Sequence, residues 1–141
     1  MNHPFNIRIY GILIENNKIL IVKEPFMGNL IYKFPGGGME FGEGTIDCLK
    51  REFKEELNLD IEIEKHLYTQ DFFLVSALNK NEQIFMVYYK VKAKDIQQLE
   101  NKESDNQELK WIDLSPNVAE NLSLPTDRLV IELVVQDLKN T

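Results

Sequence analysis

The sequence predicts a mixed β-sheet packed between helices, an α/β/α sandwich of the α+β class. Two observations carry this. Runs rich in β-branched and aromatic residues recur on both sides of one amphipathic helix, Thr45 to Leu57. A second amphipathic helix, Pro125 to Leu138, follows the last of those runs. The order strands, helix, strands, helix gives a mixed sheet a helix for each face.

With 141 residues, 43% of them hydrophobic, the chain suits one domain, residues 1–141, with a real core. A net charge of −7 gives no general attraction for nucleic acid or an anionic membrane, so neither is an expected partner. Cys48 is the only cysteine, which rules out an internal disulfide and suits a reducing compartment. The opening MNHPFNIRIY lacks the basic and apolar regions of a signal peptide, and no apolar run is long enough to span a bilayer. A cytoplasmic protein, monomer or homodimer, is the expectation.

In chain order, Ile7 to Ile14 and Lys18 to Lys23 read as a hairpin turned at Glu15–Lys18. A loop, Glu24 to Asn29, leads to a short strand, Leu30 to Phe34, and then to a glycine-rich turn, Pro35 to Gly38. Met39 to Gly44 is a short acidic loop. In the helix that follows, Ile46, Leu49, Phe53 and Leu57 share the core stripe. Ile61 to Leu67 alternates as a strand, and Tyr68 to Ser76 continues the sheet after a bend. Gln83 to Ala93 is strongly apolar; Asp95 to Asn106 is a short helix and a loop; Glu108 to Asp113 is a last strand carrying Trp111, expected in the core. In the closing helix Thr126 or Asp127 is the expected cap, with Leu129, Leu133 and Val134 facing the core. His3 and His66 are expected at the surface.

Glu52, Glu55 and Glu56 fall on one stripe beside the core face, since positions three and four apart are neighbours on a helix. Lys50, Arg51 and Lys54 are expected to point elsewhere. Like charges at that spacing cost roughly 0.2–0.5 kcal/mol each on an exposed helix. A helix seeking only solubility would alternate its signs. Concentrated carboxylates suit a hard cation, Mg²⁺ or Mn²⁺.

From Gly37 to Leu59 the chain resembles the Nudix hydrolases, MutT-like members included. Their box reads G-x5-E-x7-R-E-U-x-E-E-x-G-U, with U a bulky apolar residue. Gly37, Glu43, Arg51, Glu52, Phe53, Glu55, Glu56 and Leu59 match it. Asn58 stands where the family has Gly; Asn is the next best residue for ending a helix in the left-handed conformation. The resemblance implies the same sandwich fold and a metal-dependent cleavage of a nucleoside diphosphate linked to a further group. It implies Glu52, Glu55 and Glu56 as metal ligands, with the Gly36 carbonyl as a further one. Glu43 and Arg51 become a supporting pair, and Gly37 and Gly38 let the backbone approach. Glu103, or after it Glu108, is the candidate for an extra carboxylate that acts as ligand or general base; Glu52 competes for the base. Lys23 and Arg8 are candidates to touch phosphate, and Phe72, with Tyr68 and Phe73, to stack on a base. No proline lies between Pro35 and Pro116, so the spaced proline of the ADP-ribose subgroup is missing. The expected substrate is a small nucleotide, leaning to (deoxy)nucleoside triphosphates. The alternatives are an ADP-sugar or dinucleotide pyrophosphatase, a catalytically silent nucleotide-binding regulator, or an isomerase of an isoprenoid diphosphate. The last wants a Cys beside the diphosphate, whereas Cys48 lies inside the helix.

Overall fold

The protein is described by a computed structural model over residues 4–140. His3 therefore lies outside the described residues. Strands are β1 (Phe5–Glu15), β2 (Lys18–Phe26), β3 (Asn29–Lys33), β4 (Gly36–Gly38), β5 (Ile61–Thr69), β6 (Gln83–Ala93) and β7 (Glu108–Asp113). Helices are α1 (Thr45–Leu57) and α2 (Pro125–Lys139), and single 3-10 turns occupy Ile96–Gln98 and Val118–Asn121. β1 lies parallel to β6, and the other pairings are antiparallel, so the sheet is mixed.

The period-2 alternation of the strands sorts the core onto the two sheet faces. Ile9 and Leu13 of β1 and Val87 and Val91 of β6 pack with Leu49, Phe53 and Leu57 of α1. Tyr10 and Ile12, with Met86 and Tyr88, pack instead with Val130, Ile131 and Val134 of α2. This is the expected sandwich. Each large aliphatic side chain so buried contributes about 1.5–3 kcal/mol.

β1 and β2 pair only at their shared turn, through Ile14–Ile19 and Glu15–Lys18. Beyond that they splay apart. β2 goes on to pair with β3 and β7, while β4 takes the place beside β1. An opening follows between the β1/β4 and β2/β3 halves of the sheet.

Several local expectations change. The glycine turn is a strand: Gly36 to Gly38 pair with Tyr10, Ile9 and Arg8. At Gly36, φ is +151° and a Cβ would sit 2.0 Å from the Ile9 carbonyl oxygen, so only glycine lets the strands approach. Glu24 to Phe26 extend β2 rather than forming a loop. The sheet ends at Thr69, and residues 70–76 leave it save for one bridge, Val75 to Gln83. The cause is Gln70, whose buried amide replaces ladder bonds: Nε2 donates to the Phe72 and Ile84 carbonyls, and Oε1 accepts from the Met86 amide.

Ile46 is exposed, and Cys48 is buried instead, its Sγ 3.7 Å from the Gly37 carbonyl oxygen. The first turn of α1 is thus turned onto β4, leaving Ile46 on the open side. In α2 the buried residues are Thr126, Asp127, Val130, Ile131 and Val134, while Leu129 and Leu133 face out. Neither Thr126 nor Asp127 caps it; Leu124 is the N-cap, with Pro125 first in the helix. Asp127 serves the interior, accepting from the Tyr88 hydroxyl at 2.5 Å and the Phe34 amide at 3.4 Å. Burial raises its carboxyl to about 6. Trp111 packs partly buried against the α1-side core, as expected, and His66 is exposed.

Candidate functional site

α1 begins at Gly44, whose amide is held by the Asp47 carboxylate at 3.0 Å, an acidic group suited to the helix N-terminus. It ends at Asn58 with φ +56°, the expected left-handed stop, and the Asn58 amide donates to the Lys54 carbonyl. Between these ends Arg51 is the hub, and the expectation that it points away from the acidic stripe is corrected. Its guanidinium grips Glu43 through Nε (2.9 Å) and Nη2 (2.7 Å). It also reaches the Gly38 carbonyl at 2.9 Å, Glu52 at 2.9 Å and Glu55 at 3.2 Å. A long, planar, five-donor group can turn sideways along a helix and serve several oxygens at once. Glu43 is held down at about 2 by this pairing and by a further bond from the Glu40 amide. The loop 39–44 is thus clasped to the helix.

Glu52 is the buried member of the stripe: only 14% of its side chain is exposed, against 59% for Glu55. Its carboxylate fills the space beside Gly37, where a Cβ would come within 2.4–2.6 Å of its three carboxyl atoms. Burial raises its pKa despite Arg51. Glu56 is raised further, to about 7, first by burial, then by the negative charge of Glu52, with Glu24 and Glu103 adding to it and Lys33 opposing. As the side chains stand, no three acidic, His or Cys groups among the described residues close on one point, because Arg51 draws Glu52 and Glu55 to itself. The donor set nonetheless fits a hard divalent cation. Glu52 and Glu56 are half-shielded, all-oxygen donors crowded by like charge, and Gly37 leaves room for one of them. Cys48 takes no part: burial lifts its thiol to about 12, so it is no nucleophile.

Glu103 lies in the exposed turns after the Ile96–Gln98 element. That segment is tied to the end of α1 by amide bonds from Glu100 to the Leu57 carbonyl and from Lys102 to the Glu56 carbonyl, so Glu103 is held within electrostatic reach of Glu56. Glu108 is elsewhere, paired with Lys23 at 3.7 Å. Lys23 lies over the Tyr32 ring, not in the cleft, because strand alternation turns its neighbour Glu24 inward instead.

A cleft of about 510 Å³ adjoins this acidic edge on the α2 side of the sheet. Arg8 lines it, its Nε donating to the Tyr10 hydroxyl at 2.7 Å, and its charge is felt by Glu52 and Glu24. Lys33 and Glu24 line it too, paired at 2.8 Å. Phe72 forms part of the far wall, whereas Phe73 is exposed and Tyr68 packs against the α2-side core. Sequence reasoning missed Lys33 and Glu24. Their signal was the pairing of β2 with β3, which sets Val22 opposite Lys33 and Glu24 opposite Ile31, a register that only the fold reveals.

The family model described as NUDIX domain matches residues 5–132. A sequence relative, the U8 snoRNA-decapping enzyme of Homalodisca vitripennis, is 32% identical over 84 residues, 60% of this chain and 42% of its own length. The chain thus spans less than half of that relative. Among solved structures, the E. coli ORF135 protein superposes with a TM-score of 0.75 at 19% identity, covering 96% of this chain and 91% of that one. A NUDIX hydrolase from Nitrosomonas europaea gives 0.75 at 19% identity, covering 95% and 90%. These two similarities concern the fold.

Proposed function

Because the chain belongs to the NUDIX family of hydrolases, we propose that it is a divalent-metal-dependent pyrophosphohydrolase. Its substrate is a nucleoside diphosphate joined to a further group, with (deoxy)nucleoside triphosphates the favoured class. The observation that supports this best is the meeting of two unlike walls: Glu52 and Glu56 on one side of the opening, Arg8 and Lys33 on the other. A polyanion that must bind beside carboxylates needs both a cation and basic side chains.

Glu52 and Glu56, with the Gly36 carbonyl and Glu55, would hold Mg²⁺ or Mn²⁺. Such an ion, when bound, neutralises phosphate oxygens and acidifies water. The rest falls to the chain. Arg51 and Glu43 lock the loop to the helix and so fix Glu52. Gly37 and Gly38 leave the backbone bare beside it. Arg8 and Lys33 orient the phosphates. Glu103 is assigned the proton of the attacking water, with Glu52 as the alternative base. Water adds to one phosphorus, the bridging P–O bond breaks, and a phosphate or pyrophosphate leaves. Lys23, lying outside the cleft, drops out of the phosphate role.

The net charge of −7 supports a small-molecule substrate over nucleic acid. Among the described residues no helix is long and apolar enough to cross a membrane. We take the chain as one domain, cytoplasmic, monomer or homodimer.

The test is turnover with Mg²⁺ on a panel of nucleoside triphosphates, nucleotide sugars, dinucleoside polyphosphates, NADH and a capped dinucleotide. The last is included because the sequence relative is named a decapping enzyme. Release of phosphate or pyrophosphate that stops with a chelator is expected. Binding without turnover would favour the silent regulator.

A further inference from the structure

The cleft runs from Arg8 and Lys33, beside the acidic edge, to a wall built by the loop after β5 and the start of α2. That wall carries Leu74, Leu78, Leu124 and Leu129, and two hydroxyls are set into it, Ser76 and Thr126. These two residues are only 8% and 5% exposed, so the hydrogen-bonding capacity they keep serves the cleft they line.

The two hydroxyls differ. A serine hydroxyl has one donor and two acceptor lone pairs. Both lone pairs of Ser76 Oγ are taken, since the amides of Leu78 and Asn79 donate to it at 3.2 and 3.3 Å. The turn making these bonds is itself fixed: the Ser76 amide donates to the Glu82 carbonyl, and the Glu82 amide to the Asn79 carbonyl. Tetrahedral geometry then sends the O–H away from the two amides, and no group among the described residues accepts it. Ser76 is therefore a fixed donor with nothing left to accept. Thr126 Oγ1 has no hydrogen-bond partner among the described residues, so it donates or accepts as a ligand requires.

Asn6, on the β1 side, has the opposite polarity. Its Nδ2 donates to Glu82 at 3.3 Å, which leaves Oδ1 as an acceptor. Oδ1 and Arg8 Nη1 each lie 3.8 Å from where a Cβ on Gly38 would stand, so this acceptor belongs to the Arg8 end of the cleft. Donor and acceptor are thus held at different ends.

We infer that Ser76 determines specificity: its O–H donates to a carbonyl oxygen on the outer edge of the nucleobase. On the pyrophosphohydrolase reading above, on which this rests, the enzyme then favours 6-oxopurine and 4-oxopyrimidine nucleotides over their amino counterparts. With the phosphates at Arg8, Lys33 and the carboxylates, the outer edge of the base is the part farthest from them, and it meets the Ser76 wall. A carbonyl oxygen satisfies a donor that has no acceptor capacity left, whereas an amino group leaves two donors facing each other. Leaving a buried donor unpaired weakens binding by about 5–150-fold. Thr126 adapts to either edge and so adds affinity without choosing.

The experiment measures kcat/KM with Mg²⁺ for two matched pairs, ITP against ATP and UTP against CTP. Within a pair the substrates differ in the oxo or amino group and in the proton on the ring nitrogen beside it. The oxo member of each pair is expected to lead by about tenfold or more. Ser76→Ala should bring both ratios to within about twofold of unity. Ser76→Asp keeps a side-chain oxygen for the amides of the turn but presents an acceptor to the cleft; it should lower all four values and reverse both ratios. Thr126→Val should lower both members of a pair alike. Equal values or an amino preference within either pair of the parent, or an oxo preference that survives in a folded Ser76→Ala or Ser76→Asp, would overturn the inference. So would loss of the preference in Thr126→Val. Calorimetric binding of the matching non-hydrolysable methylene analogues, with Mg²⁺, separates this claim from the reading it rests on. If none of the four is turned over, the pyrophosphohydrolase reading falls. Tighter binding of the oxo analogues then still upholds the role of Ser76, and equal, reversed or absent binding overturns it.

Discussion

The two walls of the opening are made in opposite ways. The acidic wall comes from one continuous stretch, Gly36 to Glu56, whose β-strand, loop and helix are clasped by a single guanidinium. The basic and apolar wall is assembled from β1, β3, β6, the loop after β5 and the start of α2, residues that are far apart in the chain. The first is held together by contacts between residues close in the chain. The second depends on the sheet splaying where β1 and β2 part. On the proposed reading the acidic wall performs the phosphate chemistry and the other wall sets what is attached to it.

The largest effects should come from the acidic wall. Glu56→Gln and Glu52→Gln, measured as kcat at saturating Mg²⁺, should each fall by about 10²–10³ or more, the size of losing a transition-state charge partner. Melting temperatures near the parent's would assign the loss to chemistry; parent-like rates would break the contrast between the walls. Gly37→Ala comes next. Its methyl would sit 2.4–2.6 Å from the Glu52 carboxyl atoms, so the carboxylate must move by roughly 1 Å, and a misplacement of that size costs about 10²-fold in rate. Steady-state kinetics alongside a thermal melt separates this from unfolding.

Variants of the other wall should act on binding. Arg8→Ala and Lys33→Ala are expected to raise KM about ten- to a hundredfold each, as for loss of a charge-assisted hydrogen bond worth about 1.5–3 kcal/mol, with kcat changing less. Lys23→Ala, on the opposite side of β2, should leave KM within about twofold. An equal effect of Lys23→Ala would erase the distinction between the two faces of that strand.

The pH dependence is smaller and has a definite sign. With Glu56 near 7, a proton competes with a cation below that value, so Mn²⁺ affinity should weaken as pH falls from 8 to 6. In the metal-free protein the raised Glu56 lends stability at pH below its ordinary 4.5, and that stability is lost as pH rises through about 7. Added Mn²⁺ should restore it. Asp127 behaves alike away from the cation: its stabilising contribution is present below 3.8 and fades as pH rises through about 6. Against Asp127→Asn, chemical denaturation of the parent should lose on the order of 2–3 kcal/mol over that window. A flat difference between the two proteins would show that the Tyr88 and Phe34 bonds fully offset the burial.

The acidic wall was legible because its residues are close in sequence and their spacing maps directly onto a helix surface. The left-handed stop at Asn58, both helices and most strand cores could be read for the same reason, whereas β4, the end of β2 and the end of β5 could not. Long side chains escaped this reasoning. Helical phase sends Arg51 away from the stripe, yet its guanidinium swings back to Glu52 and Glu55. Ile46 has the right phase for the core but sits in a first turn that β4 rotates outward. Asp127 looked like a cap because Asp is common there, whereas its role is set by Tyr88, 39 residues away. The cleft was not legible at all beyond Arg8 and Phe72. Lys33 joins Arg8 only through the splay of β1 from β2, and nothing local announces a splay.

The central claim is that Glu52 and Glu56 bind a divalent cation, and Mn²⁺ electron paramagnetic resonance tests it most directly. The parent protein is predicted to bind Mn²⁺, to release it when Mg²⁺ is added, and to lose that binding in a folded Glu52→Gln, Glu56→Gln double variant. A double variant that kept the parent's Mn²⁺ affinity would contradict the account.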